Sequence, residues 1–344
     1  MKRSIVFTGG GTGGHLAIVR AVGRELGDER KIYIGSISGQ DRKWFADDDS
    51  FEERHFLRSR GVVDKGFFGK LSALSAISLS VLEAVSILRR CEAGVVFSVG
   101  GYSSAPASFA ALMLGIPLVI HEQNAVSGRL NSFLKRYAKI FISSYDDGSP
   151  VASYPVESLF FEEARERKEL ESVIFLGGSQ GAEAINRLAM EMAEKLDRRG
   201  LKIIHQAGER NLSTMRRFYE EKGIDAELFG FSDNIANYMK RADFAIARAG
   251  ASTLWELVAN GLPTLFVPYP YAAGDHQYAN AKALVERGMA WIVRESELDS
   301  DKVFEIMESA DLSAVSRALK ESMAKGGAEE IAGILRSFIQ VNPL

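Results

Sequence analysis

Cysteine is almost absent from this chain, since Cys91 is the single one among 344 residues. One thiol cannot close an intramolecular disulfide, so the composition excludes a disulfide-stabilised secreted domain and predicts a reducing, cytoplasmic location. The chain also lacks a large excess of one charge, because its formal net charge is −3. This near balance does not imply a polyanionic partner, and we expect no nucleic-acid partner.

The sequence offers no targeting segment and no uninterrupted membrane span. The apolar stretch near the N-terminus is too short for a signal peptide and runs directly into glycines. Residues 93–120 carry no charge, but glycines and prolines divide them at Gly94, Gly100, Gly101, Pro106, Gly115 and Pro117. We therefore expect buried strands, a loop and a core helix in this region.

Short apolar runs alternate with helix-length segments throughout the chain, which is typical of parallel sheets built from βαβ units. The first half contains candidate strands at 4–8, 31–34, 95–99, 117–120 and 139–143. The second half contains candidate strands at 172–176, 202–206, 226–229, 243–247, 264–267 and 290–293. The pattern predicts an α/β protein with two Rossmann-like, doubly wound parallel-sheet domains.

The two sets of strands are separated by a polar, charged segment around Pro155, which we interpret as a linker. We therefore expect an N-terminal domain over residues 1–154 and a C-terminal domain over residues 155–326. The last segment, residues 327–340, has the pattern of an amphipathic helix.

A cluster of glycines at residues 9–14 precedes His15. It matches the dinucleotide pattern G-x-G-x-x-G by letter, but that site also needs an acidic residue at the end of the second strand. Gly35 and Ser36 stand there instead, which argues against a nicotinamide dinucleotide site. The nucleotide-hydrolase loop is excluded too, because His15 occupies the position of its lysine.

Two further glycine-rich loops follow apolar strands, at residues 98–106 and 176–183. Glycine lets backbone N–H groups approach an oxyanion closely, and a helix N-terminus adds partial positive charge. Any one of these loops could be only a tight strand–helix turn. Together the three predict a cradle for a diphosphate or a sugar phosphate.

Residues 229–281 contain the most specific pattern of the second half. After a turn at residues 248–252 the sequence predicts a helix that Ser252 or Thr253 can cap, with Glu256 placed to reach ribose hydroxyls. A solvated helix glutamate is the alternative for Glu256. A second polar group, suited to sugar hydroxyls or to simple helix capping, consists of Asp275, His276, Gln277 and Asn280.

Residues 65–90 form a helix-length apolar stretch with basic residues near both ends. One interpretation is an ordinary core helix. The other is a peripheral membrane patch, in which apolar groups enter the headgroup boundary and lysines meet anionic lipid. The residues of this patch would be Lys65, Phe67, Phe68, Lys70 and Leu71.

Six motifs in order make the chain resemble the MurG family of peptidoglycan N-acetylglucosaminyltransferases over essentially its whole length. They are GGTGGH (10–15), GGYSSAP (100–106), IHEQNAVSGRLN (120–131), GGSQGA (177–182), RAGASTLWELVANGLP (248–263) and DHQYANA (275–281). The resemblance implies the GT-B architecture, with two domains facing each other across a cleft. It also implies that the helix at 327–340 packs back on the first domain.

The same resemblance implies a donor, an acceptor and a location. The donor would be UDP-N-acetylglucosamine, and the acceptor would be lipid I, the undecaprenyl-diphosphate-linked muramyl-pentapeptide. The product would be lipid II, formed at the cytoplasmic face of the bacterial inner membrane by a peripheral enzyme, beside other cell-wall synthesis proteins. Another UDP-sugar enzyme of similar architecture, such as a UDP-N-acetylglucosamine 2-epimerase, is the alternative.

Family site residues can be carried over position by position. In the first domain they are Thr12, Gly13, Gly14 and Asn124. In the second domain they are Ser179, Gln180 and Gly181 at the diphosphate, Phe231 and Ser232 at the uracil, Arg248, Gly250, Ala251, Ser252, Thr253 and Glu256 at the nucleotide, and Gln277 and Asn280 at the sugar. Two positions depart from the family pattern, with Ile18 in place of a proline and Glu157 in place of an arginine. Because Glu157 cannot replace a cation beside a phosphate, we expect Arg248 to contribute more there.

An inverting displacement needs a base for the attacking hydroxyl and stabilisation of the leaving diphosphate. His15 is the leading candidate for the base, because an imidazole at a helix start is held neutral and basic. Its alternatives are helix capping or binding of the acceptor diphosphate. Glu122 is the second candidate base, while His121 is expected to be structural. We expect no metal and no cofactor, since the D-x-D matches at Asp47/Asp49 and Asp299/Asp301 lie in acidic surface segments.

Overall fold

The computed structural model describes residues 3–59, 67–178 and 181–340, without the side chains of residues 67–77. The chain forms two compact units. One is built from the described residues up to Val156 together with those from Gly326 onward, and the other spans Glu157–Lys325. None of the helices in the described part of the chain combines the length and apolar character that a membrane crossing requires.

A parallel six-stranded sheet forms the centre of the first unit, in the order β3-β2-β1-β4-β5-β6. Its strands are β1 (Ser4–Thr8), β2 (Lys31–Ser36), β3 (Glu53–Leu57), β4 (Ala93–Ser98), β5 (Leu118–Glu122) and β6 (Ile140–Ser143). Its helices are α1 (Gly13–Glu25), α2 (Asp41–Phe45), α3 (Phe67–Arg90), α4 (Ala105–Leu114), α5 (Arg129–Leu134) and α14 (Gly327–Ile339).

Apolar residues on the central strands of this sheet are fully buried, because helices cover both of its faces. α3 and α4 pack against each other, and α14 packs against α1, β1 and β4. Gly327 lets the start of α14 lie close to the backbone at Ser153, since a Cβ there would lie 2.4 Å from the carbonyl oxygen of Ser153. Arg336 of α14 also donates to the carbonyl oxygen of Glu25 at the end of α1.

The second unit repeats the architecture around a parallel sheet in the order β12-β11-β10-β7-β8-β9. Its strands are β7 (Ser172–Leu176), β8 (Lys202–Gln206), β9 (Ala226–Phe229), β10 (Phe244–Ala247), β11 (Thr264–Phe266) and β12 (Trp291–Ile292). Its helices are α6 (Ser158–Glu162), α7 (Glu183–Arg198), α8 (Leu212–Lys222), α9 (Ile235–Arg241), α10 (Ala251–Asn260), α11 (His276–Val285), α12 (Ser300–Ser309) and α13 (Leu312–Ser322).

A buried arginine joins two helix ends in the second unit. Arg167 is 0% exposed and donates to the carbonyl oxygens of Met239 (2.9 Å) and Ala242 (3.2 Å) near the end of α9. It also donates to Oδ1 of Asn260, the last residue of α10, at 2.5 Å. Burial lowers the pKa of Arg167 to about 9. Because helix C-termini carry partial negative charge, they solvate this guanidinium in place of water.

The predicted α/β class with two parallel sheets is confirmed, and most strands lie within two or three residues of the expected positions. The edge strand β3 was not predicted, because its sequence ERHFL is mostly half-buried and carries three polar residues. The prediction that Ser252 or Thr253 caps its helix is wrong. The N-cap of α10 is Gly250, which has no side chain, so both residues lie within the first helical turn.

Candidate active site

Loops at the carboxyl ends of β1 and β4 lie in direct contact, at the edge where doubly wound sheets bind ligands. Gly9 and Gly11 have φ values of +127° and +85°, which only glycine adopts readily. Gly101, after β4, also has a positive φ, and a Cβ there would lie 2.6 Å from the carbonyl oxygen of Gly10. Glycine is therefore required at these positions by backbone conformation and by space.

A buried carboxylate fixes the loop of residues 9–12. Asp41 is 0% exposed, and its two oxygens accept from the N–H groups of Gly11 (2.8 Å) and Ser36 (3.0 Å) and face the hydroxyl of Tyr33 (3.1 Å). Burial, together with this negative charge, holds the pKa of Tyr33 well above its usual range. The N–H of Gly11 is thus committed to Asp41 and does not contribute to an anion cradle.

Asp41 was missed in the sequence, although an acidic residue after the second strand was sought. It stands five residues beyond Ser36, where β2 ends, and reaches back through the loop that precedes α2. Its partners lie on the protein itself, so the ribose function expected of such an acid does not apply. The signal in the sequence is an acidic residue at the first position of α2, beyond the loop that follows β2.

His15 is the third residue of α1, and both of its ring nitrogens have a neighbour in hydrogen-bond range. Nδ1 lies 2.9 Å from Oγ1 of Thr12, and Nε2 lies 3.0 Å from Nε2 of Gln123. Gln123 was not predicted as a site residue. It follows β5 directly, so parallel strand ends bring it beside the start of α1 although 108 residues separate it from His15.

Glu122, the last residue of β5, organises the loop that follows. One oxygen accepts from the N–H of Asn124, and the other accepts from the N–H of Gly128 and from Nδ2 of Asn131, each at 3.0 Å. A carboxylate with this set of donors is held in place by the loop. The geometry therefore favours a positioning role for Glu122 over proton transfer.

His121 is fully buried, as expected for a structural residue, and packs edge-to-face on Tyr154 with ring centroids 5.5 Å apart. Burial lowers its pKa to about 3, with a smaller contribution from His15. The ring of His121 is therefore neutral at physiological pH.

In the second unit, the glycine loop after β7 is folded against the end of β8. The N–H of Gly178 donates to Oε1 of Gln206 and that of Gly181 donates to the carbonyl oxygen of Gly178, both at 3.0 Å. A Cβ at Gly181 would lie 2.6 Å from the carbonyl oxygen of Ala207. Of the expected diphosphate residues, Ser179 and Gln180 lie outside the described residues.

Arg248 begins the turn that leads into α10, and its guanidinium is held by the protein. It lies 2.6 Å from Oε2 of Glu295 and donates to the carbonyl oxygens of Val267 (3.1 Å) and Pro268 (3.2 Å). The guanidinium also lies over the ring of Tyr269, 5.6 Å from its centroid. Arg248 thus fixes the loop after β11, and Glu295 is a partner that the sequence did not reveal.

The polar residues around α11 differ in burial and in what they bind. Asn280 is fully buried and donates to the carbonyl oxygen of Ala249, so it supports the turn before α10. Gln277 is half-buried and its Oε1 accepts from the N–H of Tyr269 at 3.0 Å, which orients its amide. Asp275 pairs with Arg294 at 2.9 Å.

The remaining predicted donor residues follow strand ends of the same sheet. Phe231 and Ser232 come after β9, and Oγ of Ser232 accepts from the N–H of Asn234 at 3.0 Å. Gly250 precedes α10, whose first turn is formed by Ala251, Ser252 and Thr253 and contains no acidic residue. Glu256 lies one turn further along the helix and is half-buried.

Comparisons with known proteins agree with this arrangement. The N-terminal domain of glycosyltransferase family 28 matches residues 5–142, and the C-terminal domain matches residues 172–334. A relative from Sulfurovum sp. (strain NBC37-1) is 55% identical over 97% of this chain and 99% of its own length. Another, from Wolinella succinogenes, is 49% identical over 97% of this chain and 100% of its own.

Both relatives carry the name UDP-N-acetylglucosamine–N-acetylmuramyl-(pentapeptide) pyrophosphoryl-undecaprenol N-acetylglucosamine transferase. The chain belongs to this transferase family. The crystal structure of MurG from Acinetobacter baumannii has a TM-score of 0.79 at 25% identity and covers 97% of this chain and 99% of its own. The match confirms the GT-B fold class expected from the motifs.

Within this transferase, three of the four aspartates of the D-x-D matches have local partners. Asp299 caps α12 by accepting from the N–H of Lys302 at 2.9 Å, and Asp301 pairs with Lys195 at 2.9 Å. Asp49 lies 3.4 Å from Arg54, and Asp47 is exposed. Among the described residues, no group of three or more His, Cys, Asp or Glu side chains is placed to hold a metal ion.

The candidate membrane patch is placed only in outline. Lys65 lies outside the described residues, and Phe67, Phe68, Lys70 and Leu71 belong to α3 with side chains outside the description. Further along the same helix, Leu79 and Leu82 are 70% and 61% exposed. Glu157, the departure from the family arginine, is the N-cap of α6, and Ile18 is fully buried in α1.

Proposed function

We propose that this chain transfers N-acetylglucosamine from UDP-N-acetylglucosamine to lipid I, which yields lipid II and UDP. The identity of 55% over 97% of the chain to a relative named for this reaction carries the proposal. Every motif on which the sequence resemblance rests lies within that matched length. A UDP-N-acetylglucosamine 2-epimerase is disfavoured, because the full-length relatives are named as transferases.

The proposed reaction is a single displacement with inversion. The 4-hydroxyl of the N-acetylmuramyl group attacks C1 of the donor sugar, and the bond from C1 to the diphosphate oxygen breaks as UDP leaves. His15 serves as the base for the hydroxyl proton, which suits an imidazole that is neutral near pH 7. Glu122 shapes the loop that carries Asn124, and we assign the acceptor to this first unit.

The second unit takes the donor in this proposal. The N-terminus of α10 faces the diphosphate, where its backbone N–H groups stabilise negative charge without a metal. The glycine loop after β7 borders the same site, with the N–H groups of Gly178 and Gly181 already engaged within the protein. Glu256 accepts from the ribose hydroxyls, the main chain at Phe231 and Ser232 meets the uracil, and Gln277 contacts the sugar. Arg248 acts on the diphosphate indirectly, because Glu295 and two carbonyl oxygens already hold it.

The polyprenyl acceptor places the reaction at a membrane surface, so we propose peripheral association with the cytoplasmic leaflet. The apolar residues Phe67, Phe68 and Leu71 and the exposed Leu79 and Leu82 on α3 support this. The double variant Phe67→Ser/Phe68→Ser is expected to bind anionic vesicles at least about tenfold more weakly than the parent. Unchanged vesicle binding would show that Phe67 and Phe68 do not contribute to membrane association. Leu159→Ser, at an exposed position of the second unit, is the matched control.

Release of UDP in the presence of lipid I is the decisive test. We expect UDP and a disaccharide product when UDP-N-acetylglucosamine and lipid I are both supplied, and no product when lipid I is omitted. Isomerisation of the donor without lipid I would instead establish the epimerase. Donor binding with no UDP release under any condition would identify a sensor and overturn the proposal.

A further inference from the structure

Three side chains form a line of hydrogen-bond contacts from the surface into the first unit. Thr12 is exposed, His15 is half-buried, and Gln123 is 7% exposed. The line runs from Oγ1 of Thr12 to Nδ1 of His15 (2.9 Å) and from Nε2 of His15 to Nε2 of Gln123 (3.0 Å). Each ring nitrogen faces a protein group, and of those two groups Thr12 is the exposed one. A proton from a ligand therefore reaches the imidazole most directly through Thr12.

The contact with Gln123 decides where the ring proton sits. A neutral imidazole has one donor and one acceptor nitrogen, whereas a carboxamide nitrogen only donates. With Gln123 donating to Nε2, the ring proton is on Nδ1 and points at Oγ1 of Thr12. The carboxamide oxygen of Gln123 is then left buried without a hydrogen-bond partner among the described residues.

That orphan acceptor obtains a partner when Nε2 of His15 carries a proton. A half-turn of the carboxamide exchanges its oxygen and nitrogen, so that Oε1 accepts from Nε2–H and Nδ1 accepts from the hydroxyl of Thr12. An unpaired buried acceptor destabilises the fold. The rotated arrangement gives Oε1 a donor in the protonated Nε2, and the carboxamide NH2 takes the position that Oε1 leaves.

We propose that Thr12, His15 and Gln123 form a hydroxyl–imidazole–carboxamide relay in which Thr12, and not the imidazole, contacts the attacking hydroxyl of the acceptor. This rests on the proposed function and refines the role of His15 within it. Gln123 is a positioning residue that sets which ring nitrogen holds the proton. The order of roles is that of hydroxyl–imidazole–orienting-group triads in general.

Each proton and bond is accounted for in the step. The acceptor oxygen bonds to C1 of N-acetylglucosamine while the bond from C1 to the diphosphate oxygen breaks, and that electron pair leaves with UDP. From the rotated arrangement, in which Nε2 of His15 carries the ring proton and Nδ1 is unprotonated, the proton of the acceptor passes to Oγ1 of Thr12 as the proton of Thr12 passes to Nδ1 of His15. The resulting imidazolium donates from Nδ1 to Thr12 and from Nε2 to Oε1 of Gln123.

Other titratable groups on the surrounding elements leave this line intact. Burial keeps His121 on β5 neutral, and the carboxylate of Glu122 is held by donors of its own loop. Asp41 faces Gly11 and Ser36 behind the first glycine loop. Tyr102, after β4, donates to the carbonyl oxygen of Ser38 at 2.9 Å. Gln123 is therefore the side chain that faces Nε2 of His15.

Steady-state kinetics of Thr12 variants with lipid I test the outer step. Thr12→Val, which removes the hydroxyl at constant shape, is expected to lower kcat about 100-fold with acceptor KM changed less than about threefold. Thr12→Ser keeps the hydroxyl and is expected to retain activity within about tenfold. Thr214→Val, at an exposed position of α8, is the matched control. A rise in acceptor KM with kcat unchanged in Thr12→Val would make Thr12 a binding residue and overturn the relay.

Gln123 variants test the inner step without relying on turnover. Gln123→Glu places a carboxylate beside Nε2 and is expected to raise the titration midpoint of His15 by about one pH unit or more, followed by NMR with His15→Ala to assign the signal. The acid limb of the pH–rate profile should move upward by the same amount. Gln123→Met, which offers only a weak thioether acceptor, should move both the midpoint and the acid limb downward. If the titration midpoint of His15 is unchanged in both variants, the contact between His15 and Gln123 is refuted. If the parent enzyme transfers no sugar, the proposed function alone is refuted.

Discussion

The first glycine loop and the turn before α10 both connect a strand to a helix at the ligand-binding edge of a sheet, but they are built in opposite ways. The first loop is crowded, with Gly10 pressed against the buried carboxylate of Asp41 and a histidine in the first helical turn. The turn at Gly250 is open, since in the described part of the chain no heavy atom beyond its local backbone neighbours lies within 4 Å of the position where a Cβ would be.

The difference separates two kinds of chemistry. A buried negative charge behind the first loop makes that loop a poor site for a further anion, and its backbone N–H at Gly11 is already engaged. α10 has no acidic residue in its first turn and begins at a glycine without a capping side chain. The first loop therefore suits proton transfer, and the start of α10 suits a diphosphate.

Single substitutions of His15 and of Glu256 are expected to give the largest changes in kcat and in donor binding, and they test the two regions separately. His15→Ala is expected to lower kcat about 10²–10⁴-fold, because the base is lost, with the Kd for UDP-N-acetylglucosamine unchanged. Glu256→Ala is expected to weaken donor binding about tenfold or more while kcat falls much less. Isothermal titration with the donor and steady-state assays measure both quantities. Near-normal turnover in His15→Ala would contradict the base assignment.

Alanine at Gly10 and at Gly250 tests crowding directly. A Cβ at Gly10 would lie 2.4 Å from Oδ1 of Asp41, so the carboxylate must move and abandon the N–H groups of Gly11 and Ser36. We expect Gly10→Ala to reduce the free energy of unfolding by about 3 kcal/mol. Gly250→Ala should change it by less than about 0.5 kcal/mol, since φ is −65° and the space is open. If urea unfolding shows equal losses of unfolding free energy in the two variants, the first loop is not more crowded than the turn at Gly250.

The parts of the fold that the sequence predicted are those with local signals. Buried apolar runs of four to six residues marked most strands, because strands covered on both faces need apolar side chains throughout. β3 lacked that signal because it lies at the sheet edge and is half-buried. The glycine motifs likewise marked the loops, since their backbone conformations depend on single residues.

The partners of the site residues could not be predicted, because they meet only in the folded chain. Asp41 reaches Gly11 across 30 residues, and Gln123 reaches His15 across 108. Glu295 forms an ion pair with Arg248, whose guanidinium the sequence alone left available to bind phosphate. Each pairing depends on which strand ends are neighbours in the sheet, and local sequence patterns carry no information about that order.

Acid should destabilise the two units through one buried histidine each. Burial lowers the pKa of both His121 and His205 to about 3, from an unfolded value of about 6.5. Both rings are neutral in the folded protein, so stability is intact above pH 6.5 and is lost as pH falls from there toward 3. Between pH 7.5 and 5.5 each should remove about 1.4 kcal/mol. Urea unfolding at both pH values measures this loss, and His121→Leu should reduce it by about that amount.

The smallest expected effects concern helix starts in the second unit. α12 and α13 are capped by Asp299 and Asp311, whose carboxylates accept from N–H groups at 2.9 Å, so Asp299→Ala should cost about 1 kcal/mol. Thr253→Ala should cost less than about 0.5 kcal/mol, because Thr253 lies inside the first turn of α10 and Gly250 holds the cap position. If the backbone N–H groups at the start of α10 bind the diphosphate, the loss of the α12 cap should not affect UDP binding. Saturating UDP should then raise the melting temperatures of Asp299→Ala and of the parent by the same amount. A loss of about 1 kcal/mol in Thr253→Ala would instead mean that its side chain acts as a cap. The start of α10 would then be satisfied by the protein, as the first glycine loop is.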